Sequence, residues 1–362
     1  MRILVLATDY PNLNGNVNLM YIHTRNRYYV NRGIDVTVIN FKAKQNYIID
    51  NVKVITLENY IKNKSEYDIL ISHAPNIRNH FRFLMRYGKN FKNIVFFFHG
   101  HEILKVNEIY PKPYEYMKTS SRLAILMRDL YDIFKIKMWK RFFIKNLSKL
   151  QFVFVSHWML EMFLKFVRID YEKIRNRTHI IYNSVGQNFE TQNYDYQADK
   201  KYDFITIRNN LDGSKYCIDL VTKIAYMNPQ FKFCVVGKGK FFIHNSKPKN
   251  LEWINKTLTH EEVIELLNQS KCALLPTRVD AQGVMACEIA TFGIPLITSN
   301  ISVCKEIFEG FINISFIDNN DENLNISSEF IRLQNIKITQ KNEKFFAKNT
   351  LEKEIEMFNK LR

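Results

Sequence analysis

The stretch "DAQGVMACEIATFGIP", residues 280–295, decides how the rest of the chain is read. Asp280 and Glu288 stand eight positions apart with small, amide and apolar residues between them. The preceding "CALLPT" (272–277) has the short apolar run of a buried strand, and Val284, Cys287 and Ala290 or Ile289 then recur at helical spacing. Gly283 therefore falls at a strand-to-helix turn, where the first N–H groups of a helix lack internal partners and attract an anion. Asp280, just before the turn, suits hydrogen bonds from the hydroxyls of a polyol, and Glu288 sits on the helix face that returns to the same crevice. A sugar, a pyrophosphate and a ribose bound in line fit that order.

Outward from this stretch, short apolar runs alternate with helical patterns. "RILVLA" (2–7), "DVTVIN" (35–40), "VKVITL" (52–57), "DILISH" (68–73), "NIVFFFH" (93–99) and "QFVFVS" (151–156) read as buried parallel strands. A second series runs through "YDFITIR" (202–208), "FKFCVVG" (231–237), "CALLPT" and "PLITS" (295–299). Helix-length segments lie between, such as 18–32 closed by Gly33. Two such series predict an α/β chain of two Rossmann-like units. The polar stretch 186–201 marks their boundary, giving residues 1–190 and 191–344, with an amphipathic helix in 345–362 packing back on the first unit. The Asn-rich segment 318–325 reads as a surface loop.

With 362 residues the chain exceeds one ordinary core, which agrees with two domains. Five cysteines, an odd number without a C-x-x-C pair, argue against a disulfide framework or a zinc site and fit a reducing cytoplasm. The start "MRILVLATDY" reads as a first strand rather than a signal peptide, and no run approaches the length of a membrane span. The net charge of +16 is one-sided: residues 1–180 hold 30 of the 52 Lys and Arg but 14 of the 36 Asp and Glu, leaving 22 of each beyond. One domain thus faces an anionic partner. The stretches 78–92 and 122–150 interleave aromatic, aliphatic and cationic residues, which suits either a lipid interface or a core-packing face. No nucleic-acid-binding motif appears, so an anionic membrane surface is the expected partner of the basic half, and nucleic acid is not.

Residues 258–307 resemble the donor half of the GT-B glycosyltransferases of the retaining family four type. The correspondence runs through a strand ending Pro-Thr, then Asp280, Gly283, Glu288, Gly293, Pro295 and Glu306. "RILVLATDYPNLNGN", "FFFHGHE", "FVFVSHWML", "IIYNSV" and "FKFCVVGKGK" agree in order. The resemblance implies that Glu288 holds the ribose of a nucleoside diphosphate. It further implies that Asp280 holds the transferred sugar, helped by backbone N–H groups of Ala281, Gln282, Gly283 and Val284. Asp280-Ala281-Gln282 departs from the family's usual glutamate, glycine and aromatic residue, which bears on the donor sugar. Arg208 and Lys215 resemble the pair that clamps the departing phosphates. Tyr216 stands where a glycine is common. Gly237 and Gly239 follow a strand, where close backbone approach is useful. Gly15 is the candidate for backbone contact in the turn after the first strand.

On the acceptor side, His99 ends a strand and corresponds to a histidine facing the sugar and the reacting centre. His101 and Glu102 are acceptor-side groups or a helix start, and Ser156 and Asn183 match residues lining the crevice between the domains. Without D-x-D or zinc spacing, no metal and no cofactor is expected, the nucleotide-sugar being a substrate. The resemblance implies a hexosyl-type transferase that moves sugar, with retention, from a nucleotide-sugar (UDP ahead of GDP) to a glycan or glycolipid acceptor in bacterial surface polysaccharide synthesis. Such an enzyme would be cytoplasmic and peripheral on the inner face of the plasma membrane. A nucleotide-sugar epimerase and a non-catalytic, membrane-associated homologue are the alternatives.

Overall fold

The run Ile3–Ala7 is without solvent exposure, as a strand must be when helices cover both faces of its sheet. It is β1 (Arg2–Ala7) in a computed structural model that describes residues 1–12, 19–63, 65–117 and 121–361. Around it lie β2 (Asp35–Asn40), β3 (Tyr47–Ile49), β4 (Val52–Ile55), β5 (Ile69–His73), β6 (Asn93–Phe98), β7 (Leu150–Phe154) and β8 (Thr178–Ile180). Among the described residues these form one eight-stranded sheet, in the order β3-β4-β2-β1-β5-β6-β7-β8. Every pairing is parallel except the short antiparallel edge β3–β4. One face of β6 and β7 carries Phe96, Phe98, Phe152 and Phe154, packed on Trp139, Phe143 and Phe163 of covering helices. Burying each such ring contributes about 1.5–3 kcal/mol.

A second sheet holds β9 (Tyr202–Asn210), β10 (Phe233–Lys238), β11 (Leu251–Ile254), β12 (Ser270–Leu275), β13 (Leu296–Ser299) and β14 (Ile314–Ile317). Its order is β11-β10-β9-β12-β13-β14, parallel throughout. In each sheet the chain builds outward on one side of the first strand and then crosses to the other. The switch points lie at β1/β5 and β9/β12, where open α/β sheets place ligands outside the carboxyl ends of their strands.

The chain divides into two compact units. The first comprises Met1–Val106, Met127–Ser184 and Phe346–Arg362; the second comprises Asn107–Leu126 and Val185–Phe345. The division falls at Ser184/Val185, ahead of the polar stretch 186–201. Of the residues that the sequence reading puts in the first domain, 107–117 and 121–126 group with the second unit. The helix Leu351–Lys360 is fastened within the first unit by Glu354, which meets Arg25 at 3.0 Å and accepts the Tyr29 hydroxyl, all three side chains buried.

Candidate functional site

At the β9/β12 switch point the second unit brings together Arg208, Asp280 and Gly283, three of the residues that the sequence singles out for the donor, while Glu288 lies with Gly186 and His260. Arg208, near the end of β9, is buried; its Nη2 donates to the Pro276 carbonyl just past β12 at 2.9 Å, and its Nε has no partner. A buried guanidinium donor left unmatched is costly unless something else binds there. Burial also lowers the pKa of Arg208, with nearby Asp280 opposing that shift. Gly237 lies against it for a steric reason: at φ 150° a Cβ would come within 2.0 Å of the Arg208 carbonyl oxygen. Gly239, also at positive φ, faces the Asp212 side chain.

Tyr216 occupies the place between the two cations. The Arg208 Cζ lies 5.0 Å and the Lys215 Nζ 4.8 Å from the centre of its ring, within the range of cation–π attraction. Lys215 has no carboxylate partner among the described residues. Its carbonyl accepts the backbone N–H of Arg278 at 2.9 Å and the Thr277 hydroxyl at 3.1 Å, so the loop after β9 is tied to the loop after β12. Thr277 N–H donates to Ser299 Oγ at 2.8 Å and its carbonyl accepts from Asn319 at 3.0 Å, which fixes the approach to Asp280.

Gly283 is the N-cap of the helix Val284–Phe292, and a Cβ there would meet Asp280 Oδ2 at 3.2 Å. Asp280 Oδ1 accepts the Ala281 N–H at 2.9 Å. Arg208, Asp280 and Gly283 line one small cavity, together with Thr277, Thr298 and Cys304. Gln282 is turned inward, with its amide donating to Cys287 Sγ at 3.6 Å, so its side chain serves the turn. The helix is not the one-sided amphipathic element its spacing suggests, because Ala286 to Phe292 are all buried.

Glu288 is therefore a buried carboxylate. Desolvation pushes it up to about 7, offset in part by the Gly186 N–H that it accepts at 3.1 Å. His260 Nε2 stands 3.9 Å away. Gly186 is confined, since a Cβ would come within 2.9 Å of His260 and 3.3 Å of Glu288. Arg278, Gly186 and His260 carry no motif signal; each matters through a partner distant in sequence.

The first unit holds a separate polar cluster at its own switch point. His99, just past β6, shares a hydrogen bond between its Nε2 and the Nδ1 of His73, at 3.2 Å. Burial, then the charge of Arg25, holds His99 well below the usual imidazole range. His73, buried at the end of β5, is depressed likewise, chiefly by burial. Both rings are thus neutral at neutral pH. His73 shows the same sequence signal as His99, a polar residue closing an apolar strand, but has no counterpart in the family motif.

Glu102 accepts the N–H groups of His99 at 3.1 Å and Gly100 at 2.6 Å, so it staples the turn that carries His99. His101 is exposed, with its carbonyl held by Lys135 at 2.8 Å. Ser156 caps the helix His157–Val167 by accepting the Met159 N–H at 3.1 Å, and Asn183 is buried after β8. Gly15 lies outside the described residues. Among the described residues no group of three or more His, Cys, Asp or Glu is disposed to hold a metal ion, and no helix is long and apolar enough to cross a membrane.

Residues 189–345 match the family model described as glycosyl transferases group 1. No curated protein sequence matches the chain. Sucrose-phosphate synthase from Thermosynechococcus elongatus is similar in structure, at 12% identity and TM-score 0.68, over 99% of this chain and 98% of that one. Anabaena HepE in complex with UDP also has TM-score 0.68 at 12% identity, over 99% and 100% of the two chains. WaaG, a glycosyltransferase involved in lipopolysaccharide biosynthesis, gives 0.59 at 12% identity, over 98% and 99%. The chain has the GT-B fold, and its match to the group 1 family over the second unit supports a glycosyltransferase.

Proposed function

We propose that the protein transfers a sugar from a nucleoside diphosphate donor, UDP-sugar ahead of GDP-sugar, to a saccharide acceptor that is lipid-linked or membrane-proximal. The observation that carries this reading is the pair of cations on one tyrosine ring: Arg208 buried with an unmatched Nε, and Lys215 without a carboxylate partner among the described residues. A departing diphosphate gathers negative charge, and cations already fixed in place stabilise the transition state with little reorganisation. Asp280 and the N–H groups from Gln282 to Val284 hold the sugar and its phosphates, the Ala281 N–H being taken by Asp280 itself, and Glu288 holds the ribose. His99, neutral, hydrogen-bonds a sugar hydroxyl or the developing charge.

Retention follows from a front-face path. The bond from the anomeric carbon to the diphosphate oxygen breaks as the acceptor hydroxyl oxygen forms its bond on the same face. The hydroxyl proton passes to an oxygen of the leaving diphosphate, whose charge Arg208 and Lys215 hold. No metal enters this scheme.

The membrane part rests on charge and exposure. The helix Arg122–Asn146 buries Asp132, Lys135, Ile136, Trp139, Phe142 and Phe143, and turns Leu130, Ile133, Phe134, Lys137, Arg141, Ile144 and Lys145 outward. Apolar and basic side chains on one outward face suit the inner, anionic face of a plasma membrane. The test of the whole reading is product analysis across a panel of nucleotide-sugars, with and without saccharide acceptors. Sugar transfer that is lost in Glu288→Ala supports it. Epimerised donor formed without acceptor would replace it with the epimerase, and nucleotide uptake without turnover would replace it with a binding protein.

A further inference from the structure

Residues 107–117 lie in sequence between β6 and the helix Arg122–Asn146, yet they pack with the second unit. "YPKPYEY" (110–116) sets three tyrosines beside two prolines that favour extended backbone. The Tyr114 hydroxyl donates to Asp219 Oδ1 at 2.9 Å, and the Tyr116 hydroxyl donates to Asp212 Oδ1 at 2.7 Å. Their rings stack with centres 5.8 Å apart; Tyr114 meets Phe241 edge-on and Tyr116 lies flat on His244 at 4.4 Å. Tyr110 brings its ring centre within 5.7 Å of Lys215 Nζ. Burial first, and the aspartates second, raise both Tyr114 and Tyr116, so each remains a donor at neutral pH.

These contacts converge on the loop that carries Lys215. Asp212 also accepts the Lys240 N–H at 2.8 Å, so Tyr116 grips both the loop after β9 and the turn after β10. Asp219 takes the Arg278 guanidinium at 3.0 and 2.6 Å, and Arg278 Nη1 donates to the Ser214 carbonyl at 2.6 Å. Tyr114 thereby reaches the residue next to Lys215 through one carboxylate and one guanidinium.

We propose that residues 110–116 are a strap that positions the phosphate-binding loop 210–217, with Tyr114 and Tyr116 as positioning residues acting through Asp219 and Asp212 to set Lys215 against a diphosphate. The inference rests on the reading of Lys215 as a phosphate clamp. Its consequence is selective: loosening the loop weakens ligands bearing a second phosphate and spares those bearing one.

The test uses the full chain with both tyrosines replaced, Tyr114→Phe and Tyr116→Phe, which keeps the rings and removes the two hydroxyls. Amide hydrogen exchange over 210–217 and calorimetric affinities for UDP and UMP are measured. Exchange in the loop should rise about tenfold while the helix beyond its first turn, residues 222–227, is unchanged. The UDP dissociation constant should rise about tenfold and that for UMP stay within about twofold. Unchanged loop exchange overturns the strap, and equal losses for UDP and UMP overturn its phosphate-directed role. Should the unsubstituted protein take up neither nucleotide, the functional reading fails, and the strap stands or falls on the exchange result.

Discussion

Glu288 accepts the backbone N–H of Gly186 at 3.1 Å, across 102 residues of sequence, and is otherwise desolvated. Its pKa of about 7 against an ordinary 4.5 means the folded protein favours the protonated acid. The stability it contributes is fully present below about pH 4.5 and lost as pH rises through 7, on the order of 3 kcal/mol in all. The melting temperature of the unliganded protein should fall between about pH 5 and 8, and Glu288→Gln should flatten that fall. If ribose hydroxyls donate to this carboxylate, UDP binding at pH 7 releases a fraction of a proton. Calorimetry in buffers of different ionisation enthalpy reads that release, and the same observed heat in every buffer would remove Glu288 from the ribose site.

Arg208 trades stability for binding. Its buried Nε is unmatched and its charge is desolvated, so Arg208→Met should leave the unliganded protein as stable or about 1–3 kcal/mol more stable in urea melts. The same variant should lose at least about tenfold in UDP affinity and about a hundredfold in turnover. A destabilised variant with full UDP affinity would make Arg208 a structural residue.

The Arg25–Glu354 pair should behave in the opposite way. Both side chains are buried, so removing one strands the other's charge, at a cost of about 3–5 kcal/mol. Arg25→Ala is expected to lower the denaturant midpoint sharply. Replacing both residues with apolar side chains of similar volume should recover much of the loss, which a double-mutant cycle measures.

The outward face of the helix Arg122–Asn146 gives a binding prediction. Reversing Lys137, Arg141 and Lys145 to Glu should abolish sedimentation with phosphatidylglycerol vesicles at low salt and leave the melting temperature within a few degrees. Equal sedimentation of both forms would remove this face from the membrane reading.

Most of both sheets is legible in sequence because a parallel strand buried on two faces is a continuous apolar run, as in Ile3–Ala7 and Ile94–Phe98. The strands that escape such a reading are β3, β8, β11 and β14, three or four residues each and only partly buried, so they lack the continuous apolar run. On the donor side, the cavity that joins Arg208, Asp280 and Gly283 lies where a strand end and a helix start leave marks in sequence, whereas Glu288, in mid-helix, is singled out by its place on the helix face and by the family resemblance. Arg278 was not, since its importance comes from Asp219, 59 positions away. Nor was the tyrosine strap, whose "YPKPYEY" has no period and finds its partners by long-range packing alone.

The interleaving of the two units has a consequence for biosynthesis. The carboxylate that neutralises Arg25 arrives with Glu354, after the ribosome has already made the whole of the second unit. Until the helix Leu351–Lys360 is translated, the first unit lacks both the partner of Arg25 and the cover that Met357 and Phe358 give its core. A fragment stopped at Ser184 would carry that vacancy permanently, so separate expression of the amino-terminal half calls for supplying residues 346–362 as a peptide or by circular permutation.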